Sequence, residues 1–259
     1  MVAKVHHNMS SEARSCAAVV ASNPAVLSPG MASLFPPLVV AAELRAPGDP
    51  SLLDPAERTA VAGAIESRVR EFAAGRLCAR RALRELGLER AVPAAPDRQP
   101  IWPSAVVGSI THTEGLAAAV VAPRRAFAAL GLDTERAGRL KPELWPKICI
   151  AEEIAWLESL APTERTAAAT LIFAAKEAFY KCQYPSTGQW LYFADARVIA
   201  QWGSDAGCLS IVPTRAIALL ASDGLAAHAA SLPGRFRLHE GLVSAGVFVE
   251  ASRLEAEAN

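Results

Sequence analysis

Residues 128–136 read Ala-Ala-Leu-Gly-Leu-Asp-Thr-Glu-Arg, an apolar, β-compatible run that closes on two carboxylates one residue apart. Alternate side chains of a strand share a face, so Asp133 and Glu135 point to the same side and can share one cation. A bare Asp-x-Glu pair is usually two solvated charges at a strand end, and it gains weight only from a partner. Residues 173–181, Phe-Ala-Ala-Lys-Glu-Ala-Phe-Tyr-Lys, have helical character and place Phe173, Glu177 and Lys181 at i, i+4 and i+8 in one row. If that row meets the end of the 128–135 strand, three carboxylates surround a hard divalent ion. Lys181 then stands beside them, which suits a phosphate bridged to magnesium.

Composition limits the alternatives. With 259 residues, 52% of them hydrophobic, the chain can bury one large core or two modest ones. Lys plus Arg and Asp plus Glu are both 26, so there is no bulk charge to draw it to nucleic acid or to a membrane, and any anion binding must be local. Five scattered cysteines without Cys-x-x-Cys spacing argue against zinc or a disulfide framework and for reduced thiols. The apolar run 16–21 is too short for a signal-peptide core or a membrane span, so a cytoplasmic protein is expected.

Taken in order, residues 1–30 read as a loose leader, 31–125 as an N-terminal half and 126–259 as a C-terminal half. Residues 38–44 predict a buried first strand. Asp54-Pro55 predicts an N-cap and first helical position, with amphipathic helix through Phe72 and a second helix from Gly75 to Leu86, stopped by Gly87. Four prolines in 91–105 exclude regular helix or central strand and leave an ordered loop carrying Arg98 and Trp102. Residues 106–112 and 116–121, around Thr113-Glu114-Gly115, predict a β-hairpin that His112 closes. The second half predicts helices at 142–148 and 152–160, a long helix from a Thr163 cap to about Cys182, and strands near 190–199, 208–212 and 242–249. Each half thus reads as helices on a small sheet.

Most arginines of the first half read as solvated helix surface. Arg68 and Arg76 are eight apart, share a face if the helix is continuous through Gly75, and as a pair fit a dianionic phosphate. A lone histidine beside a turn, as at His112, is on its own more often a surface residue than a functional one.

Four blocks together resemble one family. They are Gly75-Arg76-Leu77-Cys78-Ala79-Arg80; Gln99-Pro100-Ile101-Trp102-Pro103 leading into Gly108-Ser109-Ile110-Thr111-His112; Gly131-Leu132-Asp133-Thr134-Glu135; and the 173–181 run. In this order and spacing, over roughly residues 35–250, the chain resembles the phosphopantetheinyl transferases. Within that family it resembles the monomeric, two-halved type of the surfactin and enterobactin synthetase systems.

The resemblance implies an α+β fold of two similar halves, each of helices packed on a small, mainly antiparallel sheet. A pseudo-two-fold would relate the halves, with the active site between them. It implies transfer of the 4′-phosphopantetheine arm of coenzyme A to a serine of an acyl or peptidyl carrier protein, with Mg²⁺, release of 3′,5′-ADP and a monomeric enzyme. Asp133, Glu135 and Glu177 then look like magnesium ligands. Glu177 doubles as general base, and Lys181 neutralises charge toward the leaving nucleotide. Arg76 and His112 look like contacts to the 3′-phosphate end of coenzyme A, with Arg68, Arg98, Thr111 and Lys176 as further contacts. Tyr180 and Trp190 look like walls of the pantetheine channel. Thr111 stands where many relatives carry serine, Arg98 in a loop where they often carry lysine or glycine, and Phe173 where some carry tryptophan. Two other classes fit parts of the pattern: a non-catalytic coenzyme A or carrier-binding module, and a magnesium-dependent nucleotide-cleaving hydrolase.

Overall fold

The computed structural model describes residues 25–220, 226–228 and 231–251. A first sheet contains β1 (Val26–Leu27), β2 (Val40–Leu44), β3 (Val106–Thr113) and β4 (Leu116–Pro123), in the order β1-β2-β4-β3. A second contains β5 (Phe127–Arg136), β6 (Ala196–Ala200), β7 (Ala206–Pro213), β10 (Leu232–His239) and β11 (Leu242–Glu250), in the order β5-β11-β10-β7-β6. Strands β8 (Ala218–Leu220) and β9 (Ala226–His228) form a separate pair. The described strand pairings are antiparallel. Three helices matter for the site: α1 (Glu66–Glu85), α2 (Ala151–Ser159) and α3 (Pro162–Thr187). Helices with antiparallel sheets make this an α+β protein.

The period-2 pattern of β4 explains how the layers stack. Ala117, Ala119 and Val121 pack with Ala74, Cys78 and Ala82 of α1. The alternate residues Leu116, Ala118, Val120 and Ala122 face a middle core with Phe35, Leu130, Leu132 and Phe248. Both faces of β4 are therefore buried, and its small side chains let α1 lie close. A third core packs α3 on the second sheet: Leu171, Ala174, Ala175 and Ala178 of the helix meet Phe236 of β10 and Val243, Ala245 and Val247 of β11.

The two sheets meet edge to edge. β3 and β5 are each the last strand of their sheet, and an open edge would leave amides of β5 without partners. Hydroxyls cover it: Leu132 N–H donates to Ser109 Oγ at 3.0 Å and Thr134 N–H to Thr111 Oγ1 at 3.1 Å. The joint brings the catalytic candidates of β5 beside those of β3.

Several predicted boundaries change. Asp54 does cap, in a capping box with Glu57, but the helix it starts spans only Pro55–Arg58. The break falls at the left-handed Gly63 (φ 76°), and α1 runs unbroken through Gly75. Buried Glu57 stabilises the early turn by accepting from Asp54 N–H, Val92 N–H and the Arg80 guanidinium. Helix α3 starts at Pro162 behind Ala161 instead of at a Thr163 cap, and continues through Pro185 until Gly188 (φ 62°) ends it. The strand expected at 190–199 begins only at Ala196, with Trp190 and Tyr192 left exposed. Strand β10 was not foreseen. Of the leader, residues 1–24 lie outside the described residues, while Val26 and Leu27 pair with Glu43 and Ala42. Among the described residues no helix is long and apolar enough to cross a membrane.

Candidate active site

A cavity of about 1040 Å³ opens where the two units meet. Helix α1 lines one wall with Arg68, Glu71, Phe72, Gly75 and Arg76, the i, i+3, i+4, i+7, i+8 stripe of a single face. Gly75 belongs there because a Cβ would come within 2.8 Å of Ile110 Cγ2 on β3. The loop that carries Arg98, itself in left-handed backbone (φ 72°), closes one end, and His112 projects from the end of β3.

This wall is cationic. Arg76 is 5% exposed, its guanidinium lies 4.1 Å over the Phe72 ring, and its buried Nε has no hydrogen-bond partner. Burial lowers its pKa to about 10. A guanidinium held dry without a carboxylate is a position prepared for an anion. Arg68 Nη1 stands 2.9 Å from His112 Nε2 and 3.3 Å from Glu71 Oε2. Burial first, and Arg68 second, lower the His112 pKa, so the imidazole is neutral in the ligand-free protein at pH 7.

The opposite wall is acidic. Odd residues of β5 face α3, so Asp133 and Glu135 share a side and meet Glu177 and Lys181 across the same cavity. The closeness of strand and helix depends on Gly131, where a Cβ would fall 2.8 Å from the Ala178 carbonyl carbon and 2.9 Å from Cys182 Cβ. Lys181 Nζ donates to Asp133 Oδ1 at 2.7 Å and to Leu132 O at 3.3 Å. Thr111 Oγ1 donates to the same Oδ1 at 3.2 Å. Asp133 Oδ2 and Glu135 Oε2 are buried without a hydrogen-bond partner, although Arg139 Nε makes an ion pair with Glu135 at 3.2 Å. Burial, and then the Asp133 charge, raise the Glu135 pKa to about 7 and raise that of Glu177 as well. Among the described residues no three His, Cys, Asp or Glu side chains converge tightly enough to enclose a metal ion. The three carboxylates line one cavity and feel one another's charge without closing on a point.

Tyr180 and Trp190 also line the cavity, with ring centroids 5.4 Å apart. Tyr184 stacks on Tyr180 at 4.9 Å and completes an aromatic wall. It lies one turn beyond Tyr180, so extending the helix past Cys182 identifies it. Glu71 and Phe72 were likewise missed, because Gly75 was read as a break; an unbroken α1 places them on the Arg68 and Arg76 stripe.

Two expected ligand contacts are not met. Lys176 is buried away from the cavity, donating to Ile148 O, Glu153 Oε2 and Phe193 O at 2.8, 2.7 and 2.9 Å, so all three ammonium donors are engaged. Its position, one residue before Glu177, turns it to the opposite side of α3, where it joins α2 to the turn before β6. Thr111 is 1% exposed and holds Asp133 and the β5 edge instead of facing the cavity.

The arrangement is a cleft between two helix-on-sheet units, lined by an acidic group from β5 and α3 and a basic group from α1. Residues 56–122 match the 4′-phosphopantetheinyl transferase N-terminal domain, and residues 129–228 the 4′-phosphopantetheinyl transferase superfamily. The chain is 38% identical to 4′-phosphopantetheinyl transferase Svp of Streptomyces mobaraensis over 219 residues, covering 82% of this chain and 85% of the relative. It is 36% identical to 4′-phosphopantetheinyl transferase Npt of Nocardia iowensis over 170 residues, 64% and 74% of the two chains. Enterobactin synthase component D of Salmonella typhi is 40% identical over 117 residues, 44% of this chain and 47% of that one. The chain belongs to the phosphopantetheinyl transferases, in the type of the surfactin and enterobactin synthetase systems.

Proposed function

We propose that this protein transfers the 4′-phosphopantetheine group of coenzyme A to a serine of an acyl or peptidyl carrier protein, with magnesium, releasing 3′,5′-ADP. The observation that carries the reading is that one cavity is lined both by three coupled carboxylates with Lys181 and by a buried Arg76 whose Nε has no hydrogen-bond partner. Coenzyme A has that polarity: a pyrophosphate that takes a divalent ion and, some distance away, a 3′-phosphate that takes guanidinium.

Asp133, Glu135 and Glu177 would hold the cation. The unpartnered buried Asp133 Oδ2, and carboxyl pKa values raised by burial and mutual repulsion, are what such a donor set shows before a cation compensates it. When bound, magnesium supplies charge neutralisation at the pyrophosphate oxygens. The chain's own residues do the rest. Arg76, Arg68 and His112 anchor the 3′-phosphate, with Arg98 on the loop above, and the Tyr180, Tyr184 and Trp190 rings flank the slender arm. The serine Oγ attacks the phosphorus that carries the pantetheine arm, its proton passes to the Glu177 carboxylate, and the bond from that phosphorus to the 5′-phosphate oxygen breaks. Lys181 compensates the charge that grows on the departing 3′,5′-ADP.

The test is the intact mass of an apo carrier protein incubated with this protein, coenzyme A and magnesium, with and without EDTA. A metal-dependent gain of one arm, about 340 Da by covalent composition, is expected. No gain on several unrelated carrier proteins, from folded protein that still binds coenzyme A, overturns the reading in favour of a binding module.

A further inference from the structure

The α1 stripe that lines the cavity contains one acid. Glu71 lies on the α1 stripe between Arg68 and Arg76 and lines the cavity, with Oε2 3.3 Å from Arg68 Nη1 and 4.0 Å from His112 Nδ1. The same Arg68 nitrogen faces His112 Nε2 at 2.9 Å, so Glu71 and His112 share it. An ordinary surface pair looks different: Arg70 makes its two bonds to Glu66 one turn back, and neither residue lines the cavity. The Glu71 side chain is 49% exposed, and its one close bond is to Arg68 of its own helix.

Resting on the reading of this cleft as a coenzyme A site, we infer that Glu71 is a specificity-determining residue of its nucleotide end. Its carboxylate is the internal counter-ion of Arg68 in the free protein, beside the neutral His112 ring, and competes with the 3′-phosphate for that guanidinium. Any ligand with that phosphate must push the carboxylate aside, and once bound it keeps a negative charge on its own helix face close by. Glu71 therefore weakens the hold on coenzyme A and, equally, on 3′,5′-ADP, the product that carries the same phosphate. Ligands without a 3′-phosphate leave the pair with Arg68 intact and do not feel this competition. The acidic wall has the converse arrangement, with the Lys181 ammonium resting on Asp133.

The neutral, nearly isosteric variant Glu71→Gln separates this role from that of a bland helix pair. Calorimetry on the intact protein, without turnover, would compare 3′,5′-ADP with 5′-AMP and coenzyme A with dephospho-coenzyme A. The expected result is roughly three- to tenfold tighter binding of both 3′-phosphorylated ligands by the variant, and changes within about twofold for the other two. The gain should shrink between roughly 50 and 300 mM salt, because the site is partly open to solvent. Unchanged or weaker binding of 3′,5′-ADP by Glu71→Gln, while the wild type still prefers it to 5′-AMP, overturns the assignment. If the wild type itself shows no preference for the 3′-phosphate, the coenzyme A reading of the cleft fails and the role of Glu71 falls with it.

Discussion

Gly131→Ala tests whether the approach of α3 to β5 builds the acidic wall. At Gly131 a methyl group would lie 2.8 Å from the Ala178 carbonyl carbon and 2.9 Å from Cys182 Cβ, where ordinary carbon contacts are about 3.5–4 Å. The obstacle is helix backbone, so no rotamer change relieves it. Strand and helix must separate by about an ångström, in a core where Leu171, Ala174 and Ala178 are fully buried. Overpacking of this kind costs about 1–3 kcal/mol when side chains can yield, and the upper end or more is expected where backbone must move. The same separation pulls Lys181 Nζ from Asp133 Oδ1, now 2.7 Å away, and carries Glu177 with it. Urea unfolding should therefore show a loss of about 3 kcal/mol. Arm transfer by the fraction that stays folded should fall by about tenfold or more, since an ångström of misplacement is enough. Gly75→Ala is the milder comparison: its added methyl meets the branch methyl of Ile110 at 2.8 Å, a side chain and not helix backbone, and about 1 kcal/mol of helix propensity gained offsets part of the crowding, so its loss should be the smaller. Stability of Gly131→Ala within about 0.5 kcal/mol of the wild type, well below that overpacking range, would refute the packing argument.

Further outcomes follow from the charges. Asp133→Asn and Glu177→Gln should each lower turnover by about 10²–10³ while circular dichroism and unfolding midpoints stay near wild type, because each removes charge stabilisation from the reacting centre; near-normal turnover in either removes that residue from the site. Arg76→Met should raise the coenzyme A requirement roughly ten- to a hundredfold and leave that for dephospho-coenzyme A little changed. It should not lower stability, since the guanidinium it replaces is buried and its Nε is unpartnered. Lys176→Met should destabilise by about 3–5 kcal/mol, because Glu153 would be left charged and buried, and Glu153→Gln added to it should restore part of the loss. For His112, whose pKa is lowered by burial and then by Arg68, a bound dianionic phosphate would draw a proton onto the neutral ring. Coenzyme A binding should therefore take up protons above the lowered pKa of the free ring and weaken as pH rises through the higher pKa of the ring beside bound phosphate. Titration in buffers of different ionisation enthalpy measures the uptake, and His112→Gln should abolish it.

Local rules in the sequence carried much of this arrangement. Period-2 alternation put Asp133 and Glu135 on one side of β5, and i, i+4 spacing put Glu177 and Lys181 on one face of α3; both hold, and they describe the acidic wall almost completely. The errors cluster where a local signal met a distant contact. Gly75 is a poor helix former in isolation, yet here its missing methyl lets Ile110 approach, so a residue that suggested a break marks a packing point. Reading it as a break also hid the α1 stripe, and with it Glu71 and Phe72. Trp190 and Tyr192 alternate with Leu191 and Phe193 as strand residues do, but only Leu191 of the four is buried, and the chain makes its ladder from Ala196 instead.

Lys176 is the more instructive case, because its motif and its chemistry suggest opposite roles. It is adjacent to Glu177, and adjacency on a helix means about 100° of rotation, which carries it from the cavity to the core side of α3. A lysine there requires an acid and carbonyls to receive it, and Glu153, Ile148 and Phe193 come from segments 17 to 28 residues away. No window of sequence shows that convergence. Thr111 makes the same point from the other half: its hydroxyl serves an edge amide of β5 and the Asp133 carboxylate at once. One side chain therefore serves both the joint between the two sheets, with Ser109, and the orientation of the first acid of the site, with Lys181. Thr111→Val, which keeps the shape and removes the hydroxyl, should lower both the urea midpoint and the rate of arm transfer, whereas Thr111→Ser should lower neither.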